Sequence, residues 1–174
     1  MKKQIILFSL LFFISWTADN SSQSEEANAK IKSIYIYNFT KYIEWPDAYK
    51  QGNFVIGVVG TNNSLMRELN KMASLKMVGN QKIEIVNTSA NELAKCNIVY
   101  LLSENAAQLS EIINNSKNTS TLIVADKAGA ALKGAGINFV VIENKQTIEI
   151  NKANIEKYKL KISATLVELA IQVK

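Results

Sequence analysis

Polar and apolar side chains follow a helical period in the segment after residue 30. One side of the predicted helix carries Ile31, Ile34, Tyr35, Asn38, Phe39, Tyr42 and Ile43, and the other side carries Lys30, Ser33, Tyr37, Lys41 and Glu44. Steps of three and four residues are typical of one helical face. Proline disfavours a helical conformation in the residue before it, so Pro46 ends the helix and Trp45 is presented where the chain turns.

Apolar runs further along the chain predict strands. They cover Phe54–Val59, 82–86, 96–102, 121–125, Ile137–Ile142 and 147–150. Runs that are apolar throughout are typical of strands covered on both faces, whereas 82–86 alternates as a half-exposed strand does. Asn144 and Lys145 separate the last two runs and predict the turn of a hairpin.

Capping residues predict helices between these strands. Asn63 or Ser64 starts a helix with Leu65, Leu69 and Met72, Ser103 caps a helix over 104–115, Asn151 starts a short turn, and Ser163 caps a last helix with Ile162, Leu166, Leu169, Ala170 and Val173 on one face. Strands that alternate with helices predict an α/β fold, with a mostly parallel sheet covered on both sides. We expect the C-terminal hairpin to form an antiparallel edge of this sheet.

The composition removes several classes of enzyme. The 174 residues include no histidine and one cysteine, Cys96. Histidine is the usual general base near neutral pH and the commonest metal ligand, so triad chemistry and zinc or copper binding lose their usual groups. We therefore predict no catalytic residue, no metal site and no cofactor. A Ser/Lys pair built on Ser103 or Ser163 is the remaining hydrolase alternative.

The N-terminus predicts export. Lys2 and Lys3 precede an apolar run over 5–16, and a polar segment follows it. This order is typical of a secretory signal peptide, here residues 1–18, with a cleavage site that falls no later than residue 29. The run is short for a membrane span, so an uncleaved anchor is the less favoured alternative. We expect one domain over 27–174 that is periplasmic and does not span the membrane.

The charge distribution argues against nucleic acid as a partner. The formal net charge is +5, and removal of Lys2 and Lys3 with the signal peptide leaves +3. Arg67 is the sole arginine, and no stripe of basic and aromatic residues appears in the sequence.

Cys96 has no partner for a disulfide, so the hydrophobic core must supply the stability.

An ordered set of motifs runs along the chain. The set comprises Asn38, Phe39, Lys41, Trp45 and Pro46, then 54–60, 96–101, 134–139, 150–151 and 160–163, and finally Leu166, Glu168, Leu169 and Ala170. This set resembles the YfiR-like family of periplasmic regulators. It spans nearly the whole mature domain in the family's order. Three positions depart from the family pattern, since Lys159 replaces a glycine, Ala164 replaces a serine and Ala130 replaces an aromatic residue.

The resemblance implies a single three-layer Rossmann-like domain without enzymatic activity. It also implies that the domain binds the periplasmic sensor domain of an inner-membrane diguanylate cyclase or sensor kinase, and so acts in cyclic-di-GMP or related signalling. A homodimer and an outer-membrane partner are further interactions that the resemblance implies. The redox regulation of the family is not expected here, because Cys96 stands alone.

Two surfaces are predicted to carry the function. Aromatic side chains near a helix end make good interface anchors, which favours Tyr37, Lys41, Glu44 and Trp45 as the partner-binding surface. Ligands of open α/β sheets usually bind at the carboxyl ends of the strands. A small-molecule pocket is therefore the alternative function, and its predicted residues are Thr61, Asn62, Ser103, Asp126 and Lys127.

Overall fold

The computed structural model describes residues 19–93 and 95–174. Within them the helices are α1 (Asp19–Tyr42), α2 (Asn63–Leu75), α3 (Leu109–Asn115), α4 (Lys152–Lys157) and α5 (Ala164–Glu168). The strands are β1 (Ile43–Glu44), β2 (Phe54–Val59), β3 (Met77–Val78), β4 (Gln81–Thr88), β5 (Ile98–Leu101), β6 (Leu122–Ala125), β7 (Ile137–Ile142), β8 (Lys145–Ile150), β9 (Lys161–Ile162) and β10 (Ile171–Gln172). The predicted signal peptide, residues 1–18, lies outside the described residues.

The main sheet has the strand order β10-β8-β7-β6-β5-β2-β4-β3. Strands β4, β2, β5, β6 and β7 run parallel, whereas β3 and β8 pair antiparallel with β4 and β7. The predicted α/β fold, with a mostly parallel sheet and a C-terminal antiparallel hairpin, is confirmed. The hairpin is not the outer edge, however, because β10 pairs with β8 on its far side.

Helices cover both faces of this sheet. From β2 the chain passes through α2 to β4, and from β5 it passes in the opposite direction through α3 to β6. Because such crossovers are right-handed, α2 and α3 lie on opposite faces. Helix α1 packs beside α2, with Arg67 of α2 and Glu26 of α1 forming an ion pair at 2.7 Å. The domain therefore has three layers.

Helix α1 is longer than predicted and presents a different side to the sheet. It begins at Asp19 rather than near Lys30. Its buried residues are Ala29, Ser33, Ile36 and Phe39. The predicted core residues Ile31 and Ile34 are instead 38% and 50% exposed. The predicted face is right at Tyr35 and Phe39 and wrong at Ile31 and Ile34. Apolar residues lie on more than one side of this helix, and their period alone does not select the side that meets the sheet.

The beginnings of the second and third helices also differ from the prediction. Asn62, rather than Asn63 or Ser64, caps α2, and its Oδ1 accepts a hydrogen bond from the Leu65 backbone N–H at 2.7 Å. Ser103 does not cap a helix. It begins a 3₁₀ turn, Ser103–Gln108, that precedes α3. The tighter turn lets the chain leave β5 and enter α3 without a side-chain cap.

The C-terminal region combines confirmed and wrong predictions. Asn151 caps α4 and Ser163 caps α5, as predicted. The last helix is wrong beyond Glu168, because the chain turns and pairs as β10 with the outer side of β8. Leu169 is consequently 68% exposed instead of buried. The hairpin turn is formed by Glu143 and Asn144, both with positive φ, one residue earlier than predicted.

Aromatic packing fixes the position of α1 over the sheet. Phe39 and Tyr35 of α1 lie 6.1 Å and 5.7 Å from the ring centroid of Phe139 in β7. Tyr100 of β5 lies 5.9 Å from the same ring and is fully buried. These contacts hold α1 above β5 and β7.

In the described part of the chain, no helix combines the length and apolar character that a membrane crossing needs.

Candidate functional site

The strand order reverses between β2 and β5, which opens a crevice at their carboxyl ends. Open α/β sheets bind ligands at such a reversal point. Gly60 leaves β2 with φ +111°, and a Cβ atom at this position would lie 2.8 Å from Leu102 Cδ1 and closer still to Asn105 Oδ1. Glycine is favoured here by the positive φ, and a Cβ atom would also have to displace the ends of the Leu102 and Asn105 side chains.

A cavity of about 300 Å³ opens at this crevice. Its lining comes from α1 (Ser24, Glu25, Asn28, Ala29, Lys32), the start of α2 (Asn62, Leu65), the exit of β5 (Leu102, Ser103, Glu104) and the end of β6 (Asp126). Most of these side chains are polar, so the cavity suits a small polar molecule rather than an apolar one. Helix α1 supplies one whole wall.

An ion pair crosses the inner side of the cavity. Lys32 Nζ lies 2.5 Å from Asp126 Oδ2, and the two side chains are 17% and 22% exposed. The Tyr100 hydroxyl donates to the same carboxylate at 3.1 Å. Burial raises the pKa of Tyr100 well above its usual range, and the Asp126 charge raises it further, so this hydroxyl stays a donor. With Glu25 and Glu104 in the lining, carboxylates outnumber the ammonium group.

The structure brings together three of the five residues predicted for a ligand site. Asn62, Ser103 and Asp126 line the cavity. Thr61 and Lys127 do not line it, and both are exposed. The backbone N–H of Lys127 donates to Asn138 Oδ1 at 3.1 Å, which turns the chain away after Asp126. The strand ends were therefore predicted correctly, but not which neighbours face inward.

The residues of α1 in the cavity wall were missed by the sequence argument. Glu25 Oε1 accepts from Asn62 Nδ2 at 3.3 Å, and Lys32 reaches Asp126 as described above. No local signal marks either residue, because the sequence pattern does not reveal which helix crosses the carboxyl edge.

Tyr37 and Lys41 lie together on the outer surface of α1, as predicted for the partner-binding surface. Lys41 Nζ lies 4.6 Å from the centroid of the Tyr37 ring. Lys76, at the end of α2, lies 5.9 Å from the same centroid and was missed by the sequence argument. The ring is half-buried, whereas both lysines are exposed. Cation–π contacts with two exposed lysines therefore contribute to the position of this surface aromatic ring.

Glu44 belongs to a different surface cluster from Tyr37. It is exposed in β1, with its carboxylate 3.7 Å from Lys50 Nζ and 4.0 Å from Lys161 Nζ. Ion pairs at such exposed positions contribute little to stability. Because Glu44 has left helix α1, the predicted surface of Tyr37, Lys41 and Glu44 is not one helical face.

The prediction that Trp45 is presented to solvent is wrong. Its side chain is only 4% exposed and packs edge-on against Phe54, with ring centroids 5.0 Å apart. The indole N–H donates to the Asn97 carbonyl oxygen at 3.2 Å. The antiparallel pairing of β1 with β9 directs the following residue into the core. Trp45 therefore closes the core and cannot contact a partner directly in this conformation.

The candidate nucleophiles are either buried or engaged in hydrogen bonds. Cys96 is 2% exposed, and burial raises the pKa of its thiol to about 11. The Ser163 hydroxyl accepts from the Leu166 backbone N–H at 3.3 Å, and the Ser103 hydroxyl donates to Glu104 at 3.3 Å. Among residues 19–93 and 95–174, no group of three or more cysteine, aspartate or glutamate residues could hold a metal ion.

Comparison with known families identifies the relatives of this chain. The profile of the YfiR/HmsC-like family matches residues 29–171. The chain belongs to the YfiR/HmsC-like family. The match begins at Ala29, in the wall of the cavity, and ends at Ile171 in β10. No curated protein is significantly similar to the chain.

The backbone of this YfiR/HmsC-like chain has a positive φ at position 159. Lys159, which replaces a glycine of the family pattern, has φ +59°. Glycine adopts this left-handed conformation without strain, whereas a residue with a Cβ atom does not. Lys159 therefore holds, in the turn before β9, a backbone conformation that a glycine adopts more readily.

Proposed function

We propose that this chain is an exported, non-enzymatic regulator that binds the extracytoplasmic sensor domain of an inner-membrane diguanylate cyclase or sensor kinase. The observation that carries the proposal is the YfiR/HmsC-like family match over 29–171. The family's members are generally regulators rather than enzymes. The buried Cys96 thiol and the occupied hydroxyls of Ser103 and Ser163 are consistent with action by binding.

The mechanism we propose is a population shift in the sensor domain. A regulator that binds one sensor conformation more tightly than another raises the population of the first, and its release restores the second. The tighter the preference, the larger the change in output that the regulator can produce. No chemical step on the regulator is needed, so a rigid domain with a defined contact surface is sufficient.

The proposed contact surface is centred on Tyr37 and Lys41. Tyrosine buries a large area at little conformational cost, and the Tyr37 ring is already held by Lys41 at 4.6 Å. Glu44 remains a proposed contact at the rim, since it is exposed beyond the end of α1. Trp45 is removed from the surface because it is buried.

A capture experiment tests this function. The mature chain is immobilised, and the purified extracytoplasmic domains of the membrane diguanylate cyclases and sensor kinases of the source organism are passed over it one by one. We expect saturable binding of at least one domain, weakened by Tyr37→Ala. Failure of every domain to bind would reject the proposed function.

The export that this function requires has its own test. We expect the protein in the periplasmic fraction, with an N-terminus between residues 19 and 30 when the purified chain is sequenced. A cytoplasmic protein that begins at Met1 would contradict the proposal, since no sensor domain would then be within reach.

A second candidate function is the binding of a small polar molecule at the reversal point of the sheet. The specific observation in its favour is the cavity of about 300 Å³ lined by Asn62, Ser103 and Asp126. A ligand that binds the folded chain must raise its melting temperature. A thermal-shift screen with amino acids, polyamines, nucleotides and cell-wall fragments tests this candidate, and the absence of any shift would reject it.

A further inference from the structure

The outer side of α1 carries a regular stripe that the core does not use. Lys30, Ile34, Tyr37 and Lys41 follow one another at steps of four, three and four residues, which puts them on one side of the helix. Ile34 is 50% exposed, and both lysines are exposed. The stripe therefore has a lysine at each end, with an apolar and an aromatic side chain between them.

The end of α2 adjoins this stripe. Lys76 Nζ lies 5.9 Å from the Tyr37 ring centroid, so the end of α2 lies beside the middle of the stripe. Leu75, the residue before Lys76, is apolar and 72% exposed. We call these two parts together the lysine face, which comprises Lys30, Ile34, Tyr37, Lys41, Leu75 and Lys76.

The positive charges of the lysine face are not balanced within the described chain. None of Lys30, Lys41 and Lys76 has a carboxylate within 4.0 Å among the residues that the structure describes. Arg67 on the same two-helix layer is by contrast paired with Glu26 at 2.7 Å. Water solvates these ammonium groups in the free chain, and around exposed apolar side chains they are complementary to a surface of negative charge.

We propose that the lysine face binds an acidic, partly apolar surface of the sensor domain. This inference rests on the proposed function and names the chemistry of the partner. Carboxylates of the sensor domain pair with the lysines, while its apolar side chains cover Ile34 and Leu75. Tyr37 lies at the centre, where the two cation–π contacts fix its ring before the partner arrives.

The arrangement favours a protein partner over an anionic membrane. Protein interfaces have an aromatic and apolar centre inside a polar rim. The lysine face has this anatomy, with Tyr37 half-buried between Lys41 and Lys76. Segments that adsorb to anionic lipid instead gather their basic residues into one dense cluster.

The test compares two charge reversals in the full mature chain. The first variant carries Lys41→Glu and Lys76→Glu, within the lysine face. The matched control carries Lys117→Glu and Lys133→Glu, two exposed lysines at the end of α3 and in the β6–β7 connection. Both variants change the net charge equally. A milder pair, Lys41→Gln with Lys76→Gln, removes the charge without reversing it, and circular dichroism checks that each variant is folded.

The affinity for the sensor domain captured by the wild type is then measured. We expect the first reversal to weaken binding about tenfold or more, the glutamine pair to weaken it less, and the control to change it by less than about twofold. Equal weakening by both reversals, or no weakening by the first, overturns the lysine face but leaves the proposed function intact. If no sensor domain binds the wild type, the proposed function fails and this inference fails with it. The last arm measures binding to vesicles that contain phosphatidylglycerol. If the wild type binds these vesicles, and the first reversal abolishes that binding without changing the affinity for the sensor domain, the lysine face belongs to a membrane contact. That result rejects the proposal.

Discussion

The amino ends and the carboxyl ends of the parallel strands are covered by different kinds of side chain. We call these two sides of the sheet the amino edge and the carboxyl edge. At the amino edge, Trp45 is buried against Phe54 and donates to the Asn97 carbonyl. At the carboxyl edge, the Lys32–Asp126 ion pair lies beside a cavity of about 300 Å³. Burial of an apolar ring stabilises the fold, whereas a polar contact contributes less and can exchange its partners for water or a ligand. The amino edge is therefore expected to matter more for stability than the carboxyl edge.

The largest expected effect is at the amino edge. Trp45→Ala removes a ring that is 4% exposed, and we expect it to lower the free energy of unfolding by about 3–5 kcal/mol. The Asn97 carbonyl stays paired, since the Leu122 backbone N–H also donates to it at 2.8 Å. Trp45→Phe is the control, and it should lose much less because most of the ring packing remains. Urea unfolding measures both, and a loss below about 1 kcal/mol for Trp45→Ala would show that the amino edge is not closed by this ring.

At the carboxyl edge, Gly60→Ala should destabilise through both backbone and steric strain. The residue has φ +111°, and the new Cβ would be 2.8 Å from Leu102 Cδ1. We expect a loss of about 2 kcal/mol or more. Gly79→Ala is the matched control, with φ +56° and nothing within 4 Å of the new Cβ, and it should cost only about 1 kcal/mol. Equal losses in denaturant unfolding would mean that the Leu102 and Asn105 side chains move aside without cost.

The ion pair that crosses the cavity should contribute an intermediate amount. Asp126→Asn leaves Lys32 without its carboxylate but keeps an acceptor for the Tyr100 hydroxyl, and we expect a loss of about 1–2 kcal/mol. Glu26→Gln is the control, because Glu26 lies on the same helix as Lys32 and its pair with Arg67 is more than half exposed. This substitution should lower the free energy of unfolding by at most about 0.5 kcal/mol. Thermal unfolding at low and high salt distinguishes them, and a larger loss for Glu26→Gln would contradict the account.

The smallest expected effect is a gain. Lys159 has φ +59°, so Lys159→Gly relieves backbone strain and should raise the free energy of unfolding by about 0.5–1 kcal/mol. Lys159→Ala keeps the strain and should give no gain. Calorimetry should show an increase of about 2–4 °C in melting temperature per kcal/mol for a domain of this size. A decrease for the glycine variant would mean that the lysine side chain itself supports the turn.

The sequence predicted the sheet better than it predicted the helices. The runs over Phe54–Val59 and Ile137–Ile142 are apolar for most of their length and had one reasonable interpretation, a strand in a covered sheet. Helix α1 has apolar residues on several sides, so the choice between Ile34 and Ile36 as the buried position depends on Phe139 and Tyr100, which are distant in sequence.

The candidate sites follow the same rule. Asn62, Ser103 and Asp126 were predicted because strand ends are legible in the sequence. Trp45 was assigned to the surface because no feature of the neighbouring sequence indicates that Phe54 and Asn97 enclose its ring. Lys76 joins Tyr37 only through the packing of two helices, which no local pattern encodes.

The central claim is that this chain works by holding a sensor domain, and the output of that sensor is the most direct test. The captured membrane protein is placed in nanodiscs, and its cyclic-di-GMP synthesis or autophosphorylation is measured as the mature chain is titrated. We expect a saturable change of several-fold, with the Lys41→Glu and Lys76→Glu variant needing a higher concentration to produce it. An output that stays constant while the chain is demonstrably bound would contradict the account.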